Sequence, residues 1–153
     1  MAENSKREQI ILAVVAELMT LSSVDSDSIK RRIPSYEELM RFALPQLPVI
    51  AVVGGLPKPV DHKTTRIKGI TKDIFISDLT ISLFTYFQDH VDPDSKLSNL
   101  LDDIWAKLYA DQTKGGLVVN TTLSPNVSQD YWDPFYAFKV DVVLQYTHDI
   151  GGI

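Results

Sequence analysis

The chain has 153 residues, 44% hydrophobic and 23% charged, ordinary globular content that excludes global disorder and fits one domain over residues 1–153. It has no cysteine, which excludes both a disulfide framework and a cysteine zinc site. The net charge of −5 argues against a general nucleic-acid coat, yet residues 54–72 carry Lys58, Lys63, Arg66, Lys68 and Lys72 against Asp61 alone, a net of +4 that leaves −9 elsewhere.

The first apolar stretch, Ile10 to Val15, meets Glu17 within two residues. That pattern fits neither a secretory signal nor the run of about 20 apolar residues that spans a bilayer, so a cytosolic protein with no membrane partner is expected. Ile10, Ile11, Val14, Val15, Leu18 and Leu21 recur at helical spacing and predict a helix from Ser5 to Leu21, with Asn4 or Ser5 as cap. A shorter helix is expected from Ser35 to Phe42, before Pro45. Leu47 to Val53 is rich in β-branched residues between Pro45 and Gly54-Gly55, and reads as a strand. The segment 54–72 has glycines, prolines and no apolar period, so it is expected to be a long, mobile basic loop, or a flexible hairpin tip.

From Asp73 to Phe87 a strand is expected, because Leu79, Ile81 and Leu83 alternate with Thr80 and Ser82. Leu97, Leu100, Leu101, Ile104, Trp105 and Leu108 form the clearest amphipathic stripe, with Pro93 near its start and Gly115-Gly116 beyond its end. Two more strands are expected, Leu117 to Leu123 and Tyr136 to Tyr146, joined by a polar connection from Ser124 to Pro134. The predicted fold class is α+β: a mostly antiparallel sheet of about four strands, with two main helices packed on one face.

No constellation nominates itself for catalysis. His62, His90 and His148 have no His-x-x-x-His partner, and Asp102-Asp103 lies off the helical stripe, where a solvated face is the ordinary explanation. Neither glycine pair fits a phosphate loop, and there is no Gly-x-Ser-x-Gly. The expectation is no catalytic residue, metal ligand or cofactor, and not an enzyme. The basic segment is either a solvated connection or an arm touching phosphates or a partner, with Lys58, Lys63, Arg66 and Lys68 as candidate contacts. It lacks interleaved aromatics, so any nucleic-acid contact would be to the backbone and indifferent to sequence. Tyr131 and Trp132 are either core anchors where a loop rejoins the sheet or anchors of an interface.

The order of these elements resembles a known family. An N-terminal helix precedes the Leu-Pro-Val-Ile-Ala-Val strand (Leu47 to Val52), and a variable loop leads into a long alternating strand (Ile74 to Phe87). An acid-started helix with an Ile-Trp pair (Ser95 to Leu108) and a late aromatic-ended strand (Phe135 to Tyr146) follow. This layout, over roughly Ile10 to Tyr146, is similar to the tail terminator proteins of lambda-type long-tailed bacteriophages, and more loosely to head–tail joining proteins. The resemblance implies a homohexameric ring on the tail tube that stops polymerisation and offers a surface to the head. Its implied partners are further copies of the chain, the tail tube protein, a head completion or neck protein, and DNA crossing the channel. The implied setting is the virion tail, and the host cytoplasm during assembly. The longer connection Ser22 to Pro48 and the basic segment depart from the family pattern. The alternative reading is a small monomeric module that holds an acidic partner or nucleic-acid backbone with its basic segment.

Overall fold

The structure, a computed structural model, describes residues 5–22, 24, 26–41, 48–67, 69–89, 91–132 and 134–150. Its elements are α1 (Lys6–Leu18), a 3-10 turn (Ser26–Ser28), β1 (Ile29–Lys30), α2 (Tyr36–Arg41), β2 (Val49–Gly54), β3 (Lys58–Ile67), β4 (Ile70–Phe87), α3 (Pro93–Ala110), β5 (Asn120–Trp132) and β6 (Phe135–Ile150). The chain is mixed α/β. The expected four-strand sheet is corrected to one sheet of six strands among the described residues, ordered β1-β2-β4-β6-β5 with β3 also on β4. The β1–β2 pair is parallel and the other pairs are antiparallel.

Two segments expected to be irregular are strands. Residues 54–72 form the end of β2, all of β3 and the start of β4, with Gly69 at positive φ in the turn between them. Positions 124–132, expected as a connection, continue β5 past an irregularity between Leu123 and Val127. The cause is the same in both places: period-2 alternation marks a strand with one buried face. A strand at a sheet edge, or beyond the cover of helices, has no such face to mark.

The spine is the β4–β6 ladder, which runs without a break from Asp73↔Ile150 to Phe87↔Tyr136. On its first face Leu79, Ile81, Leu83 and Phe87 of β4 meet Phe138, Val140, Val142 and Leu144 of β6 under α1 and α3. Ser5 caps α1 by accepting from the Glu8 amide, and Asp92 caps α3 by accepting from Ser95. The opposite face holds a smaller cluster of Leu39, Tyr86, Phe135 and Ala137, under α2. The two main helices thus share one face and the short α2 lies on the other. The two faces are covered unequally. Ile10, Ile11, Val14 and Leu18 of α1 are wholly buried, worth on the order of 6–12 kcal/mol, whereas α2 buries Leu39 alone, on the order of 2 kcal/mol.

The two main helices are joined by a buried lysine. Lys114 adopts φ 52°, and its ammonium donates to the Leu108 carbonyl (2.6 Å) and the Asp111 carbonyl (2.8 Å) while pairing with Glu17 Oε2 of α1 (2.9 Å). One side chain thus caps the end of α3 and ties it to α1. Lys114→Met leaves those carbonyls and Glu17 without their cation. It should cost about 3 kcal/mol in urea denaturation, at the low end for a broken buried pair because Glu17 keeps partial contact with solvent. Glu17→Gln keeps the carbonyl contacts and should cost about 1 kcal/mol. Burial raises the Glu17 pKa above its usual 4.5, against the pull of Lys114. The folded chain therefore holds this proton at a pH where the unfolded chain has lost it, and stability falls as pH rises from 4.5 through the raised value. Glu17→Gln should flatten that fall. Glu8 and Glu38, whose pKa values hydrogen bonds to Arg31 and Arg32 lower, act in the opposite sense below 4.5. Equal slopes for the two proteins between pH 4.5 and 7 would contradict the assignment.

Candidate functional site

β2 and β3 run along the same flank of β4 as one bent strand. Gly54 pairs with Ile81 and Lys58 with Asp78, so residues 55–57 stand opposite only Leu79 and Thr80, which is a bulge. A second irregularity falls between Pro59 and Asp61. The bulged residues are pushed outward: Leu56 is 86% exposed and Val60 47%. This knuckle is firmly held. Arg7 of α1 donates from Nε to the Gly55 carbonyl (2.9 Å) and from Nη2 to the Gly54 carbonyl (3.1 Å), and the Gly55 amide donates to the Thr80 carbonyl (2.8 Å). Both glycines sit at close approaches. A Cβ on Gly54 would fall 2.5 Å from Ile11 Cδ1, and one on Gly55 would fall 3.0 Å from the Thr80 oxygen. The sequence marks Gly54-Gly55 only as a strand boundary, since the clamp depends on contacts between distant segments.

The second surface lies towards the other edge of the sheet, where α2 stops short. Ile33, Phe84, Tyr86, Ala137 and Phe138 line a cleft of about 330 Å3, and Ser128, Gln129, Asp130 and Lys139 complete its wall. Lys139 is held 3.8 Å from Asp141 and 5.7 Å from the centre of the Phe84 ring. Burial pushes the Tyr86 hydroxyl pKa up, and the nearby Asp130 carboxylate adds to the effect. Ile33 at the cleft is about half exposed, as are Tyr36 and Met40 of α2 and Tyr131 of β5, although Tyr36 sets its ring edge-on to Phe135 at 6.0 Å. A signal for this surface is present in the sequence: Phe84 and Tyr86 alternate with Leu83 and Phe87, so both faces of β4 are apolar at this end.

The candidate residues fall into two separate places. Lys58 is exposed opposite Asp78, and Arg66 is exposed opposite Thr71. Lys63 stands on β3 opposite Ile74 and Lys72 opposite Thr65, with both side chains outside the described residues; Lys68 lies outside them altogether. The register puts positions 58, 63 and 72 on one face of the β3–β4 ribbon and 66 on the other. Tyr131 is 52% exposed and its ring lies 4.7 Å from that of Tyr136 across the ladder. Trp132 ends β5 opposite Phe135, and its side chain is outside the described residues. The ribbon and the aromatic pair are at opposite ends of β4. Among the described residues no group of His, Asp and Glu is placed to hold a metal ion.

Compared with protein-family models and with curated proteins, the sequence matches none.

Because the ribbon is a paired strand on both sides of its turn, amides over 61–67 and 70–76 should exchange far more slowly than in an unstructured peptide, read by hydrogen-exchange mass spectrometry. Complete exchange of this segment at the earliest time point would restore the loop.

Proposed function

We propose that this protein is a structural assembly component whose copies join head to tail in a ring on the end of a phage tail tube. The ring stops tube growth and offers its other side to a head completion or neck protein. The observation that carries this reading is the pair of unlike apolar surfaces on one rigid sheet, the clamped Leu56 knuckle near one edge and the open cleft towards the other. Unlike surfaces on one chain suit a heterologous contact, which closes into a ring when the rotation between neighbours allows. The resemblance in element order gives the ring its place on a tail tube. DNA crossing such a ring would meet the ribbon cations through phosphate contacts alone, with strong salt dependence.

Sedimentation of the purified protein should give a mass several-fold above the 17.2 kDa of one chain, with rings visible in negative stain. In the virus that encodes it, loss of the protein should give tails of uncontrolled length. Replacing Lys63, Arg66 and Lys68 with Gln should keep tail length and lower DNA retention. Normal tail length without the protein would end the terminator reading.

A further inference from the structure

Self-assembly needs a specific contact, and the two surfaces differ in ways that match. The knuckle presents an exposed leucine between Gly55 and Pro57, with Lys58 beside it. Its backbone is fixed by Arg7 and Thr80, so little conformational freedom would be lost on docking. The cleft has room for a side chain of that size and carries Asp130 on its exposed wall strand. Asp130 has no ion-pair partner among the described residues, whereas Lys139 at the same cleft is already paired with Asp141. The charge over the whole chain is complementary in the same sense: residues 54–72 sum to +4 and the remainder to −9. A second copy of this chain is therefore the occupant best suited to the cleft.

We infer that the knuckle of one copy seats in the second-face cleft of the next, with Leu56 as the apolar anchor and Lys58 meeting Asp130. This rests on the assembly reading above but is separable from it. The knuckle is on the β2–β3 flank and the cleft extends to β5, so one copy cannot satisfy its neighbour reciprocally with a single contact. Each copy gives a knuckle to one neighbour and a cleft to another. Ser128, exposed on β5 and lining the cleft, is a position where bulk would block entry without disturbing the core.

The test uses the full chain, which has no cysteine of its own. Lys58→Cys and Asp130→Cys are made as separate proteins, both at exposed positions, then mixed and oxidised. A covalent dimer should form in the mixture and in neither protein alone. Leu56→Ala and Ser128→Trp should each weaken self-association by about tenfold or more in sedimentation, a change of roughly 1.4 kcal/mol. Lys58→Asp and Asp130→Lys should each weaken it, and the double exchange should restore it. A protein that still assembles, but shows no mixed cross-link and no rescue, overturns the docking and leaves the assembly reading intact. A protein that neither cross-links nor exceeds the mass of one chain overturns both.

Discussion

The length of β4 is the constraint from which the rest of the structure follows. Eighteen residues of strand span about 60 Å, whereas α3, also eighteen residues long, spans only about 27 Å. No helix of that size can roof such a strand from end to end. The middle of β4 is covered by α1 and α3, and the Phe84–Phe87 end is shared between α3 and the short α2. The Ile70–Ile76 end runs on as a ribbon between strands β3 and β6, with Lys6 of α1 reaching the Thr147 carbonyl opposite Ile76. Uneven cover of one long strand thus produces the basic ribbon at one end and the open cleft near the other.

This constraint also decides which parts of the chain the sequence reveals. The stripe Leu97–Leu108 and the alternation Phe138–Leu144 are legible because each element has a single buried face, and burial is what periodicity records. β3 and the distal half of β5 are not, because described residues such as Asp61, Thr64, Ser128 and Gln129 are exposed and record no buried face. Periodicity therefore misses β3 and shortens β5, the two regions that border the candidate surfaces, and it also misses the two-residue β1. Lys114 could not have been found from spacing at all. Its role comes from a left-handed turn that folds its side chain back over α3 towards Glu17, nearly a hundred residues earlier. Tyr131 and Trp132 are legible as an aromatic pair, and their positions close the β5–β6 hairpin at the opposite end of the sheet from the β3–β4 ribbon.

The knuckle has a simpler explanation that must be weighed. Bulges, prolines and lysines on an edge strand prevent unwanted strand pairing, and Pro57, Lys58, Pro59 and the two irregularities meet that description. Edge protection accounts for the prolines, the charge and the bends. It does not account for Leu56 at 86% exposure, since a polar residue there would protect the edge equally well. Nor does it require the Arg7 clamp, which fixes a segment that protection alone would allow to move. The two roles are compatible: a strand edge closed to general pairing can still present one fixed apolar contact.

Electrostatics then sets how such copies meet. Each copy carries −5 overall, so copies repel at long range, while the contact inferred above would join a cation to an acid at short range. At physiological ionic strength the Debye length is about 8 Å, which screens the long-range repulsion more than a close, partly desolvated pair. A chain built this way gains association as salt rises from low values, the opposite of a contact made chiefly with phosphates. On the proposed reading, the ribbon cations outside the knuckle would follow the phosphate rule and Lys58 the pair rule. The same basic segment would then serve two partners whose salt responses differ in sign, because the irregularity between Pro59 and Asp61 separates Lys58 from the rest of the ribbon.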